Sequence, residues 1–140
     1  PPRFPLFVSL LGKKVVIIGA GAIAARRIGV LQKFGADIHV IAPEISQNID
    51  LSKIHHQARS FQPEDIDAAF LVIAATNDRT VNHEVAAICK QHEIPVSVAG
   101  CGEESTFYFP AICEGSGLVS DGSDHHAVSR TAKKIREILE

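Results

Sequence analysis

The chain has 140 residues, 46% hydrophobic and 21% charged, with a formal net charge of −2, which suits one soluble globular domain with a substantial core and no disorder. A near-neutral chain without a basic tract argues against nucleic acid or an anionic membrane as the main partner, and its apolar runs stop well short of the about 20 residues a membrane span needs. Cys89, Cys101 and Cys113 lack CxxC spacing and follow no secretory leader, so neither a disulfide framework nor a zinc site is expected and a reducing cytoplasm is the default location.

Phe4, Leu6, Phe7, Val8 and Leu10 are too apolar for a tail and are expected to cover one edge of a sheet, with Gly12 as the turn into the first strand. Val15 to Ile18 is a continuous β-branched run of the kind found in a strand buried on both faces. Gly19, Ala20, Gly21, Ala22, Ile23 and Ala24 follow as GxGxxA. In a dinucleotide fingerprint the first glycine permits the tight turn, the second lets a pyrophosphate approach backbone N–H groups, and the small third residue lets helix and strand pack closely. An ordinary strand-turn-helix uses the same glycines, so the surrounding βαβ pattern has to decide between the two. Apolar positions Ile23, Ala24, Ile28, Leu31 and Phe34 predict a helix over Ala22 to Phe34, ended by Gly35.

Asp37 to Ala42 then reads as the second strand, arriving on the schedule of a βαβ unit. An acid near its end would bind the ribose hydroxyls, and of Ala42, Pro43 and Glu44 only Glu44 qualifies. No arginine follows Ala42 to hold a 2′-phosphate, so NAD is expected in preference to NADP. Ile45 to Ile54 reads as loop or short helix capped by Asp50 or Ser52, His55 and His56 as surface loop without a matching ligand pair, and Gln57 to Phe61 as an edge strand. No metal site built of protein ligands is expected.

Pro63, Glu64 and Asp65 start a helical turn; Ala69 to Ala75 is another buried strand; and Thr76, Asn77 and Asp78 supply caps for a helix carrying Val81, Val85, Ile88 and Cys89. Pro95 admits a last strand, Val96 to Ala99. This alternation implies an α/β fold, a doubly wound parallel sheet of Rossmann-like type, whose ligands bind beyond the carboxyl ends of the strands. The rule selects Gly19 to Ile23, Ala42 to Glu44, Ala75 to Asp78 and Ala99 to Cys101, and within them Gly19, Gly21, Ala22, Ile23, Pro43, Glu44, Ala75, Thr76 and Asn77 as cofactor-binding residues. Irregular connections around FYFPAI lead to a final helix capped by Ser123 or Asp124, which leaves room for a further C-terminal element.

These pieces resemble the precorrin-2 dehydrogenase family, the module that also forms the N-terminal part of multifunctional sirohaem synthases. The likeness covers nearly the whole sequence and rests on FPLFVSLLGKKVVIIGAGAIAARRIGVLQKFGADIHVIAPE, LVIAATNDRTVNHEVAAICKQHEIPVSVA and FYFPAI in the family's order and spacing. It implies NAD-dependent oxidation of precorrin-2 to sirohydrochlorin, in some members insertion of ferrous iron, and dinucleotide contacts at Ala22, Ile23, Pro43 and Glu44. It also implies an NAD-binding domain over residues 1–112, a linker and C-terminal helix over 113–140 that begins a dimerisation region, and a homodimer in the full-length protein.

The chain departs from the family at two places. Gly100 stands where the family has an Asp held to be important for catalysis, and SDGSDHHAVS replaces a glycine- and serine-rich turn commonly reading STGGKSP. Proton acceptance would then fall to Glu103, Glu104, Asp121, Asp124 or His125, all of which read equally as solvated turn residues. His125, His126 and Arg130, at a helix start, would bind a carboxylate-rich substrate through the helix dipole and their own donors, unless they are simply exposed. Cys101 is a reactive thiol or iron contact on one reading and a partly buried strand-end residue on the other. Loss of the Asp leaves open a different class of function, a dinucleotide- or tetrapyrrole-binding regulatory module without a reaction of its own, and a third, a chelatase or tetrapyrrole carrier.

Overall fold

The computed structural model describes residues 2–46, 48–113 and 118–120. One compact unit spans Val8–Phe107; the described residues 2–7, 108–113 and 118–120 belong to a second.

Within the first unit the elements are β1 (Lys14–Ile18), α1 (Ala22–Gln32), β2 (Asp37–Ile41), β3 (His55–Gln57), β4 (Leu71–Ala74), α2 (Arg79–Gln91) and β5 (Val96–Val98). The strands form one parallel sheet in the order β3-β2-β1-β4-β5. The chain therefore winds outward from β1 to β3 on one side, returns, and winds outward through β4 and β5 on the other. This places the topological switch point between β1 and β4, where such sheets bind ligands. Val15, Val16, Ile17 and Ile18 are at most 1% exposed, so successive side chains on opposite faces are all covered. One face packs Val16, Ile18, Val72, Ala74, Val96 and Val98 with Val85, Ala86 and Cys89 of α2.

α1 is two residues shorter than its apolar spacing suggests, because the chain turns through residues 33–35 and Gly35 adopts φ +74°. Leu11 lies against that turn, and a Cβ on Gly35 would meet its Cδ1 at 2.8 Å. Of the apolar N-terminal run, Phe4, Leu6 and Phe7 in the second unit are at least 75% exposed, and in the first unit Val8 is 49% exposed while Leu10 is half-buried. Asp50 caps a short 3-10 turn at Leu51–Lys53, and Gln62 with Asp65 forms a capping box on another at Pro63–Ile66.

The edge strand is His55–Gln57, earlier in the chain than the expected Gln57 to Phe61. Its three residues carry no hydrophobic alternation, and pairing with His39, Val40 and Ile41 of β2 sets its position. His55 and His56 are thus strand residues. In the second unit β6 (Ala111–Cys113) and β7 (Leu118–Ser120) form an antiparallel pair that the sequence did not suggest. The expected final helix, with Asp121, Asp124, His125, His126 and Arg130, lies outside the described residues.

Candidate functional site

Ile18, Ile41 and Ala74 end their strands side by side, and backbone hydrogen bonds carry the alignment past them. Gly19 donates its N–H to the Ile41 carbonyl at 2.9 Å, Ala75 to Ile18 at 2.8 Å, and Ser46 to Ala20 at 2.9 Å. Beyond these ends opens a cleft of about 510 Å³, within the size range of small-molecule sites. It brings together Gly19, Gly21, Pro43, Glu44, Ala75, Thr76 and Asn77 from the sequence-derived set. Ala22 and Ile23 adjoin it as the first two residues of α1, exposed but outside its lining. Residues 99–101 at the end of β5 do not line it.

Two glycines give the cleft its floor. Gly19 sits at φ +109°, and a Cβ there would come within 2.7 Å of the Ala75 carbonyl carbon, so only glycine allows β1 and β4 to leave the sheet this close together. Gly21, the N-cap of α1, is extended, and a Cβ on it would meet no protein atom within 4 Å. Among the described residues no side chain caps α1, which leaves the amides of its first turn for an anion approaching over Gly21. The cradle thus fits the pyrophosphate of a dinucleotide.

Thr76 is held from below by Asn82, which is 5% exposed. Asn82 Oδ1 accepts from the Thr76 N–H at 3.0 Å and from its hydroxyl at 2.7 Å, and Nδ2 donates to the Thr76 carbonyl at 3.1 Å. Asp78 then caps α2 by accepting from the Thr80 and Val81 N–H groups. On the opposite wall His56 Nε2 hydrogen-bonds the Ala42 carbonyl at 3.0 Å and so steadies the approach to Pro43 and Glu44.

Arg59 and Ser60 also line the cleft, which reading along the sequence had missed because they arrive from the far end of β3. Arg59 is the one cation and Glu44 the one acid among the lining residues. The guanidinium is already engaged: Nη1 donates to Asp65 Oδ2 at 2.8 Å, Nη2 to Asp65 Oδ1, and Nε to Gln57 Oε1 at 2.8 Å. Burial of Asp65 would raise its pKa, yet the Arg59 hydrogen bonds, the Gln62 N–H and the nearby positive charges outweigh this and hold the carboxyl below its ordinary value.

The remaining candidates among the described residues lie apart from the cleft lining. Gly100 follows β5 at φ +75° with open space where a Cβ would be. Glu103 is exposed on the following turn, and Glu104 Oε1 is 3.5 Å from His83 Nδ1. Ser105 accepts from the Val98 N–H at 2.8 Å and donates to the Cys101 carbonyl at 2.9 Å, fixing this turn to β5. Cys101 is half-buried; Cys89 is fully buried, and desolvation pushes its thiol up to about 11, which suits a core residue. No helix among the described residues is long and apolar enough to cross a membrane.

Residues 6–111 match the family model described as "Putative NAD(P)-binding". Over 145 residues the chain is 44% identical to the "Probable multifunctional siroheme biosynthesis protein HemA" of Ruminiclostridium josui, covering 97% of this chain and 28% of that protein. It is 36% identical over 140 residues to the siroheme synthase of Photorhabdus laumondii subsp. laumondii, with 97% and 30% covered. The chain thus spans under a third of the length of these curated relatives. Among solved structures, "SirC, precorrin-2 dehydrogenase" superposes with a TM-score of 0.74 at 28% identity, covering 98% of this chain and 69% of that one. The apo D-lactate dehydrogenase from Escherichia coli, at TM-score 0.53, 15% identity and 70% and 31% coverage, shares the fold alone.

Proposed function

Since this chain belongs to the NAD(P)-binding family, as a module of the precorrin-2 dehydrogenase kind, we propose that it oxidises precorrin-2 to sirohydrochlorin with NAD in the biosynthesis of sirohaem. The observation that carries this reading is the uncapped start of α1 behind Gly21, opening into the cleft at the switch point of the sheet. NAD supplies the hydride acceptor when bound. The chain's own part is placement: Gly19 and Gly21 admit the pyrophosphate, Thr76 and Asn77 bound the far wall, and Glu44 accepts from ribose hydroxyls. NAD is favoured over NADP because Glu44 repels a 2′-phosphate and Arg59 is held by Asp65. Substrate carboxylates are assigned to His125, His126 and Arg130, and the full-length protein is read as a homodimer. Insertion of ferrous iron into the product is a second activity to assay on the same preparation.

Anaerobic incubation of the purified chain with precorrin-2 and either NAD or NADP tests this directly. Formation of reduced nicotinamide and sirohydrochlorin together, faster with NAD, is the expected result. Dinucleotide binding without turnover of precorrin-2 would overturn the catalytic reading.

A further inference from the structure

We propose that Asp37, His39 and His55 form a binding site for a divalent first-row transition ion, separate from the nucleotide cleft. The three residues sit at the amino-terminal side of the β2–β3 edge, whereas the cleft opens beyond the carboxyl ends of the strands. Parallel pairing sets His39 opposite His55, and Asp37, two residues before His39, shares its face of the strand. The two imidazoles stack with centroids 4.5 Å apart and 22° between planes. Both present Nε2 to one carboxylate, His39 at 3.0 Å from Asp37 Oδ2 and His55 at 3.2 Å from Asp37 Oδ1. One donor atom from each residue lies within 4.8 Å of the others, and this is the one such group among the described residues.

Two imidazole nitrogens and a carboxylate oxygen are the ligand set taken by zinc, cobalt, nickel and ferrous iron. Donors about 2.1 Å from a tetrahedral centre stand about 3.4 Å from one another, near the 3.0 and 3.2 Å between each Nε2 and its own carboxylate oxygen, and side-chain rotation brings donor pairs within the 4.8 Å limit to that spacing. Without an ion, each Nε2 facing the carboxylate carries its hydrogen. Binding moves that hydrogen to Nδ1 in each ring and turns both Nε2 lone pairs to the metal, with no change in oxidation state. The side chains of Asp37 and His55 are 45% and 68% exposed, so water completes the coordination. Because two hydrogen-bonded strands hold the three donors, little ordering is left to do on binding. An ion here clips the three-residue β3 to β2, and β3 leads within two residues to Arg59 at the cleft wall.

The test is calorimetric titration of the chelator-treated full chain with zinc chloride, with cobalt(II) absorption as a second readout of nitrogen and oxygen coordination. One ion per chain is expected, weakened at least tenfold by His55→Ala and by Asp37→Asn and left unchanged by His92→Ala. Both test positions are partly exposed, and circular dichroism verifies that the variants remain folded. Absence of binding at millimolar zinc, or one-to-one binding that His55→Ala and Asp37→Asn leave intact, would overturn the proposal. Neither readout involves dinucleotide or tetrapyrrole, so the result is independent of the dehydrogenase assignment.

Discussion

Gly19 lies so close to Ala75 that a Cβ on it would stand 2.7 Å from the Ala75 carbonyl carbon and 2.9 Å from the Thr76 nitrogen. Backbone φ at Gly19 is +109°, a second reason for glycine. Gly19→Ala therefore combines strain with overpacking and should destabilise the fold by about 2–4 kcal/mol. Denaturant unfolding measures it; a loss under about 0.5 kcal/mol would mean that β1 and β4 separate easily.

Gly21→Val should behave in the opposite way. Its backbone is extended and a Cβ there stands more than 4 Å from the surrounding atoms, so stability should fall by about 1 kcal/mol, the difference between a tolerable and a poor N-cap residue. NAD binding should nonetheless drop at least about tenfold, since a Cβ enters the space proposed for the pyrophosphate. Unchanged calorimetric affinity for NAD would remove Gly21 from the binding site.

The glycine turn and its flanking strands were legible because a continuous apolar run, a turn and a helical period each leave a local signature. The Asp37, His39 and His55 group was not, since it depends on the register between β2 and β3, and β3 has neither length nor alternation to announce itself. Arg59 escaped for the same reason: it reaches the cleft through a strand whose place is set by pairing. Asn82 shows a third limit, because a polar residue on the buried face of α2 contradicts the helical hydrophobic pattern until Thr76 is seen above it.

Asn82→Ala should cost about 1–3 kcal/mol, because it removes both the acceptor and the donor that a buried Asn82 offers to the half-buried Thr76 backbone. Thr76 lines the cleft, so NAD affinity should fall as well. A thermal shift without any change in NAD affinity would confine Asn82 to a structural role.

The Arg59 and Asp65 pair makes two linked predictions. Folding holds the Asp65 carboxyl below the about 3.9 of a free Asp, so its contribution to stability is present above that pH and is lost as pH falls through the lower folded value. Asp65→Asn should flatten this acid limb of the stability profile. It should also release the Arg59 guanidinium at the cleft wall, raising affinity for NADP relative to NAD. An unaltered NADP to NAD ratio would remove Arg59 from coenzyme choice.

Gly100 offers a test of the proposed chemistry. It follows β5 in a left-handed conformation, φ +75°, with nothing within 4 Å of where a Cβ would stand. Placing the carboxylate that the resemblance implies there, as Gly100→Asp, therefore sets its Cβ in open space and should cost about 1 kcal/mol of backbone strain. Gly100→Ala carries a similar strain without the carboxylate, so comparing the two variants isolates the acid. If that acid serves as a general base, the Asp variant should oxidise precorrin-2 about 10²- to 10⁴-fold faster than the Ala variant. NAD affinity should be alike in both, because Gly100 is outside the cleft lining. Equal rates in single-turnover assays would mean that the displaced proton leaves by another route, and Glu103, exposed on the turn that Ser105 ties to β5, is then the next residue to replace.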